Sequence, residues 1–502
     1  MTDKPTVSDK TDVAQKDSAA ADPSAAARTE AHTLMKDSTM PASAKLDNSV
    51  WPQVSFTVAD ARQGAPKTEG PGPGAKSATK PAEKATPTAD KCAGNEAFHT
   101  LIDTTASLIY DPKDLGDLNK LYEQNACVPN TAEAVKRADD ALKVANDPYT
   151  DILPAKEAND LRTSMEGHLI GVGVQIGRPE SAPGKEPLQQ GPVQIQRVYP
   201  NSPAEAAGLK RGDMITSVGG NDVSKMSPDD VAAKLLRGAE GTDAKVSITR
   251  DGKPMDFTMK RADYNFPSVT DSKIGDYAYI RLEDLGQNDS ADELQAALEK
   301  HQDAKGFVLD LRDNPGGQVP NALLAASLIM EKGEILKVRS RAESDPSDPQ
   351  YNVERYFVTP TGIKATTENP NEQIGDKEDV RMKDLVHKPL VVLTNEGTAS
   401  AAEILAGALR DNKEAVLVGN TTFGKGIGQQ VLDGMPGNSI LKVTNFRFFT
   451  PNGQWIGDGH DHRTGIAPDI KVENPKSVEY GSAADAQLNA GLKKLDELTK
   501  KK

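Results

Sequence analysis

The feature that most restricts the fold is an alternation in the second half of the chain, where short apolar runs are followed by amphipathic stretches of ten residues or more. After Tyr264 come DYAYIRL, SADELQAALEKH and GFVLDL, then the segment following NPGG, and later PLVVLT, SAAEILAGALRD and AVLVG. Apolar runs of this length suit strands buried on both faces, and the stretches between them carry the period of helices. Strands alternating with helices predict an α/β domain. A last helix over 483–498 would pack on it through Leu488, Leu492 and Leu495.

The rest of the 502-residue chain divides by composition. Residues 1–91 are rich in Ala, Lys, Thr, Asp, Ser and Pro and cannot bury enough apolar surface to offset the entropy of ordering, so a disordered arm is expected, with one apolar island at Val50–Val58. Residues 92–166 read as a helical region. Phe98, Leu101, Ile102, Ala106, Leu108 and Ile109 recur at helical spacing, and a second helix follows Pro129, capped by Asn130 or Thr131 with Glu133 in its first turn. Residues 167–262 change to short alternating strands with one helix at 228–236, a compact mixed module. The α/β core spans 263–480 and its closing helical segment 481–502, so the chain is an α/β multidomain protein.

A formal net charge of −14 with no basic stripe excludes non-specific binding to nucleic acid or anionic membrane, which needs clustered Lys and Arg. The two cysteines, Cys92 and Cys127, do not sit beside histidines at ligand spacing, so no metal site is read from them. They are either two buried thiols or a disulfide, which would stabilise by roughly 3 to 4 kcal/mol. Met1–Ala20 lacks an apolar signal core, and no apolar run is long enough to span a bilayer.

Three segments carry chemistry. In PLVVLTNEGTASAAEILAGALRD a strand turns into a helix opening near Ser400, where free amides and the dipole can hold an oxyanion. The plain alternative is an N-cap serine. In TTFGKGIGQQ, Lys425 lies between glycines and among apolar residues, where a desolvated amine can act as a base; the plain alternative is a surface turn. GFVLDLRDNPGGQV ends a strand in Gly316 and Gly317, whose exposed amides suit close backbone approach.

Together DLRDNPGGQV, TASAAEILAGALRDN and VGNTTFGKGIGQQ, with DPYTDILP, LIGVGVQIG, NSPAEAAGLKRGDMITSVGG, FRFFTPNGQ and GIAPDI, resemble the C-terminal processing or tail-specific proteases over about four-fifths of the chain. The resemblance implies a crotonase-like protease core with an inserted PDZ domain and a serine endopeptidase working through an acyl-enzyme without metal or cofactor. It implies Ser400 as nucleophile, Lys425 as general base and Gln429 as its support, about one turn onward if the chain is helical there. Oxyanion donors would be the amides of Ala401 and of Gly316 or Gly317. Thr398 and Ala402 depart from the family's serine-rich run without removing the nucleophile.

By the same resemblance the loop Ile170, Gly171, Val172, Gly173 and Val174 would bind a substrate's C-terminal carboxylate, with Ala232, Leu235 and Leu236 receiving its last side chain. Arg250 is the candidate for coupling this module to the core. The implied partners are proteins or peptides with exposed C-terminal tails, homo-oligomerisation is left open, and the family's usual compartment is the periplasm, the envelope or outside the cell. Competing readings are a non-catalytic tail-binding scaffold, an acyl-CoA enzyme on the same core, and a Ser/His pair using His387. His460 and His462 in GDGHDHR are read as an exposed loop rather than metal ligands.

Overall fold

The computed structural model describes residues 91–143, 147–178, 191, 193–342, 350–367, 378–380, 386–475 and 478–500. The expected arm, apart from its last residue, and the Val50–Val58 island lie outside the described residues.

The alternation after Tyr264 folds into a six-stranded sheet in the order Val269–Ile274, Tyr277–Leu282, Phe307–Asp310, Leu390–Thr394, Val416–Gly419, Ile470–Lys471. Its first pair is antiparallel and the others are parallel. The central strands are buried on both faces, as their unbroken apolar runs require. One face carries Tyr277, Tyr279, Val308, Val391, Leu393 and Val418 against Leu488 and Leu495 of the C-terminal helix Ala486–Thr499. The helices Ser290–Lys300, Val319–Ile329 and Ala401–Asp411 follow their strands as expected and pack on one another in turn.

A second sheet of seven strands is antiparallel and brings together distant segments. Its long strand Ser439–Phe449 pairs with Ile427–Met435 along one edge, and along the other with Asp151–Leu153 and then Gly333–Arg341. The helices Asn95–Leu108 and Thr131–Leu142 bury Phe98, Leu101, Ile102, Val135 and Leu142 against Leu441 and Val443 of that strand. Asn130 caps the second helix through Oδ1, which accepts from Glu133 N at 2.9 Å. Cys92 and Cys127 form a disulfide, tying the start of the first helix to the segment before the second.

The inserted module enters and leaves side by side, through the two-stranded ladder of His168–Gly171 with Ala262–Asn265. Its sheet runs Val174–Gly177, Val193–Val198, Met214–Val218, Asp243–Arg250, Lys253–Lys260, with a core that includes Val193, Ile195, Ile215 and Ile248. On its helical segment Leu236 is a core residue, whereas Ala232 and Leu235 are only partly buried.

Candidate active site

Ser400 stands at the turn between the buried strand Leu390–Thr394 and the helix Ala401–Asp411, with φ 53° and ψ −120°. A non-glycine residue with positive φ costs roughly 1–3 kcal/mol and persists only where its surroundings impose it. Ser400 is the N-cap residue of this helix, but its backbone lies outside the extended region that an ordinary N-cap occupies. Asn395 imposes much of the turn. Its Oδ1 accepts from Gly397 N at 3.0 Å and from Asp313 N at 2.9 Å, and its Nδ2 donates to Asp313 Oδ1 at 2.7 Å. Thr398 Oγ1 donates to Leu311 O at 2.8 Å, binding the same turn to the Phe307–Asp310 strand's continuation.

Glu403 supplies the rest. This fully buried carboxylate accepts Ser400 N (2.9 Å) and Lys425 N (2.9 Å) on Oε2, and Gly424 N (2.7 Å) and Thr422 Oγ1 (2.5 Å) on Oε1. Burial pushes its pKa up, and the four donors pull it back. One oxygen atom therefore holds the backbone of Ser400 and the backbone of Lys425 at once. Sequence reasoning gave Glu403 no role, although the S-x-x-E spacing from Ser400 was a readable signal.

Lys425 has its amine against the face of Tyr149, 4.1 Å from the ring centroid, and donates to Gln429 Oε1 at 3.2 Å. Burial, and then the neighbouring Lys442, lower its pKa to about 8 against the opposing pull of Asp147, Glu403 and Asp151. No hydrogen bond joins Nζ to Ser400 Oγ; the amine rests on Gln429. Gln429 itself lies on the strand Ile427–Met435 and not on a helix, because that segment pairs with Ser439–Phe449. It reaches Lys425 because alternate residues of an extended chain share a face, and its Nε2 donates to Thr444 Oγ1 at 3.0 Å. The glycines flanking Lys425 serve close approach: a Cβ at Gly426 would stand 2.8 Å from Ile456 Cγ1, and one at Gly424 2.9 Å from Ile456 O.

Gly316 lies against the Ser400 turn so closely that a Cβ there would be 2.8 Å from both Ser400 Cβ and Ala401 N. Its own amide is turned inward to Asn314 Oδ1 at 2.9 Å. The amides of Ala401 and Gly317 make no hydrogen bond to the described residues. Of the two candidate glycines, Gly317 thus keeps a free donor.

The inserted module touches the same turn. Arg211 pairs with Asp313, stacks 4.4 Å from the centroid of Tyr480, and donates to Gln196 O; Gln175 Nε2 donates to Asp313 O at 3.4 Å. Arg197 meets Glu283 at 2.7 Å across the same boundary. Arg250, the residue expected to couple module and core, instead pairs with Asp213 at 2.6 Å and Gly208 O at 2.8 Å, both inside the module. A partner one strand away satisfies its guanidinium locally, so none of its hydrogen bonds crosses. In the expected carboxylate loop, Ile170 and Gly171 close the ladder, Val172 is buried, and Gly173 has φ 81° with Ser202 packed on it. Val174 continues into the sheet, and the amides of Val172 and Gly173 make no hydrogen bond to the described residues.

GDGHDHR folds over Lys425 rather than into solvent alone: Gly426 N donates to Gly457 O at 2.7 Å, and Gly459 is buried against the lysine stem. His462 is exposed, and among the described residues no group of His, Cys, Asp and Glu is arranged to hold a metal. His387 lies exposed at the other end of the strand that leads to Ser400.

Over 374 residues the chain is 30% identical to the carboxy-terminal-processing protease of Bartonella bacilliformis, an alignment covering 73% of this chain and 76% of that relative. The chain belongs to the carboxy-terminal processing protease family. The family pattern of peptidase family S41 matches residues 276–472 and that of the PDZ domain residues 194–250. A "Probable CtpA-like serine protease" of Staphylococcus saprophyticus subsp. saprophyticus is 31% identical over 67% of this chain and 60% of its own length, so the chain spans about three-fifths of that relative. A solved photosystem II D1 C-terminal processing protease superposes with a TM-score of 0.54 at 27% identity, over 76% of this chain and 93% of that one. Like these family members, the chain is a serine-type peptidase carrying a PDZ domain. Ser400, Glu403, Lys425 and Gln429 all lie within the S41 match, whereas Tyr149 lies before it.

Proposed function

We propose that Ser400 is the nucleophile and Lys425 the general base of an endopeptidase that recognises the C-terminal tails of its protein substrates. The observation that carries this reading is the single Glu403 oxygen accepting both backbone amides, which fixes the two residues within reach of each other. Burial leaves a useful fraction of Lys425 uncharged near neutral pH. Released from Gln429, the amine takes the Ser400 proton as Oγ attacks the scissile carbonyl. The oxyanion that forms is met by the amides of Ala401 and Gly317. Collapse passes the proton to the leaving amine and leaves an acyl-serine, which water hydrolyses with Lys425 as base again.

Tail recognition rests on the free amides of Val172 and Gly173 beside a sheet edge that can accept an extended peptide. Because Gln175 and Arg211 of this module hold Asp313 beside the Gly316–Gly317 turn, a shift of the module would be felt at the oxyanion donors. The Cys92–Cys127 disulfide supports function in an oxidising compartment, outside the cytoplasm.

The test is hydrolysis of casein and of an unstructured peptide by the wild type, Ser400→Ala and Lys425→Ala. Both variants should retain the fold by circular dichroism and lose activity by about 10⁴-fold or more. Cleavage by Ser400→Ala at a comparable rate would overturn the assignment.

A further inference from the structure

Two arginines stand directly opposite each other on neighbouring strands of the seven-stranded sheet, Arg339 on Gly333–Arg341 and Arg447 on Ser439–Phe449. Like charges in this position repel. Neither forms an ion pair with a carboxylate of the described residues. Aromatic rings hold them instead: Arg339 lies 4.1 Å from the centroid of Tyr351, and Arg447 lies 4.8 Å from that of Tyr110 and 4.7 Å from that of Trp455. Tyr110 and Tyr351 are themselves in contact, centroids 5.0 Å apart. At the floor, Arg447 Nε and the Tyr110 hydroxyl are both buried and without a hydrogen-bond partner among the described residues, and Tyr110 is only 7% exposed. Arg339 at the mouth is exposed. Asp111, next to Tyr110 in the chain, turns its Oδ1 to Lys113 N at 3.1 Å.

Desolvating a guanidinium without an anion is costly, and ring planes that fix two of them side by side prepare a fork for a carboxylate. The place matters as much as the chemistry. Arg447 pairs with Ile427, which opens its strand two residues after Lys425 and two before Gln429. Trp455 Nε1 donates to Gly426 O at 3.1 Å, and Tyr110 N donates to Thr444 O at 2.8 Å, on the residue whose hydroxyl receives Gln429. Two residues of extended chain span about 7 Å, so the backbone beside this pair lies about that far along the chain from Lys425.

We propose that Arg339 and Arg447 form a carboxylate-binding subsite beside the catalytic centre, taking an acidic group of the substrate near the cleaved bond. The proposal rests on the peptidase reading of Ser400 and Lys425. The carboxylate is either an Asp or Glu side chain or the free C-terminus of a short tail, and it is distinct from the carboxylate expected at the PDZ loop.

Two measurements on the full chain test it. Ser400→Ala is titrated by fluorescence anisotropy with peptides differing only by Glu or Gln at single positions within three residues of the cut, each with a free or amidated C-terminus. The wild type is assayed for cleavage of the same set. One acidic position, or the free terminus, should bind about tenfold more tightly than its neutral counterpart and show the same ratio in kcat/KM, carried by KM. Added Arg339→Gln should bring both ratios close to one, and Arg339→Glu should invert them in favour of a Lys peptide. Whether the side chain or the terminus carries the ratio identifies the source of the carboxylate. Equal binding of acidic and neutral peptides, or an acid preference surviving in both Arg339→Gln and Arg447→Gln, overturns the subsite. Intact acid preference in binding with no hydrolysis by the wild type would instead remove the dyad and leave the subsite standing.

Discussion

The six-stranded sheet that presents Ser400 and the seven-stranded sheet that presents Lys425 are held in different ways. Around the first, the strand ends are locked by a buried polar lattice. Arg312, with no exposed surface, donates to Asp310 and to Asp485, the latter at 2.8 Å through both terminal nitrogens, and stacks 3.8 Å from the centroid of Tyr480. Tyr480 OH accepts from Asn395, the residue that shapes the serine turn. Around the second, Lys425 hangs on a long stem whose amine touches Gln429 and a ring face but not the serine. The proposed nucleophile is thus pre-set by strain and fixed bonds, whereas the proposed base is held only through its side-chain contacts. Glu403 is the joint between these two regimes.

Breaking the rigid half should have the largest effect. Arg312→Leu leaves Asp310 and Asp485 buried without their cation and should cost about 3–5 kcal/mol, read as a lowered midpoint in urea unfolding. An unchanged midpoint would show that the lattice does not hold the serine side.

The joint comes next. In Glu403→Gln one acceptor oxygen becomes a donor facing two donors, so Ser400 and Lys425 should drift apart and kcat should fall about 100-fold with the fold retained. A variant with wild-type kcat would separate the two sheets' roles.

The loose half is sharpened by pH. Burial favours the neutral amine, so Lys425 is protonated and inactive as a base below its pKa of about 8 and free above it. The rate should therefore rise about tenfold per unit as pH approaches 8 from below, then level. A profile whose acid limb bends near the ordinary lysine value would mean the amine is not desolvated. Smallest is Gln429→Leu, which removes the resting partner of the amine and should lower kcat about tenfold, with little change in KM. A larger loss than that of Glu403→Gln would reverse the ranking of fixed and poised groups.

Legibility in the sequence follows the same division. Parallel strands with their helices announce themselves locally, through apolar runs and a serine opening a helix, so Ser400 and its sheet were readable. The seven-stranded sheet was not, because its pairings join distant residues, such as Ile152 with Leu441, and its strands carry charges on exposed faces. The segment after Lys425 accordingly read only as a glycine-flanked turn, when from Ile427 on it is a strand. Arg250 misled because a chain does not reveal whether a cation finds its acid at home, as Asp213 shows. Tyr149 lies in DPYTDILP, one of the segments that carry the resemblance, but far in sequence from the amine it covers, so its place over Lys425 gave no signal.

That cover has a further consequence. The Tyr149 hydroxyl donates to Gly459 O at 3.1 Å, so the amine is shut in by a lid whose two leaves come from opposite ends of the folded chain. A cut or deletion near either leaf would admit water, raise the Lys425 pKa toward that of an ordinary lysine and leave the amine less of the neutral form proposed as base, while most of the architecture still stood. Until both leaves have been synthesised and have met, the chain would carry a sheathed blade.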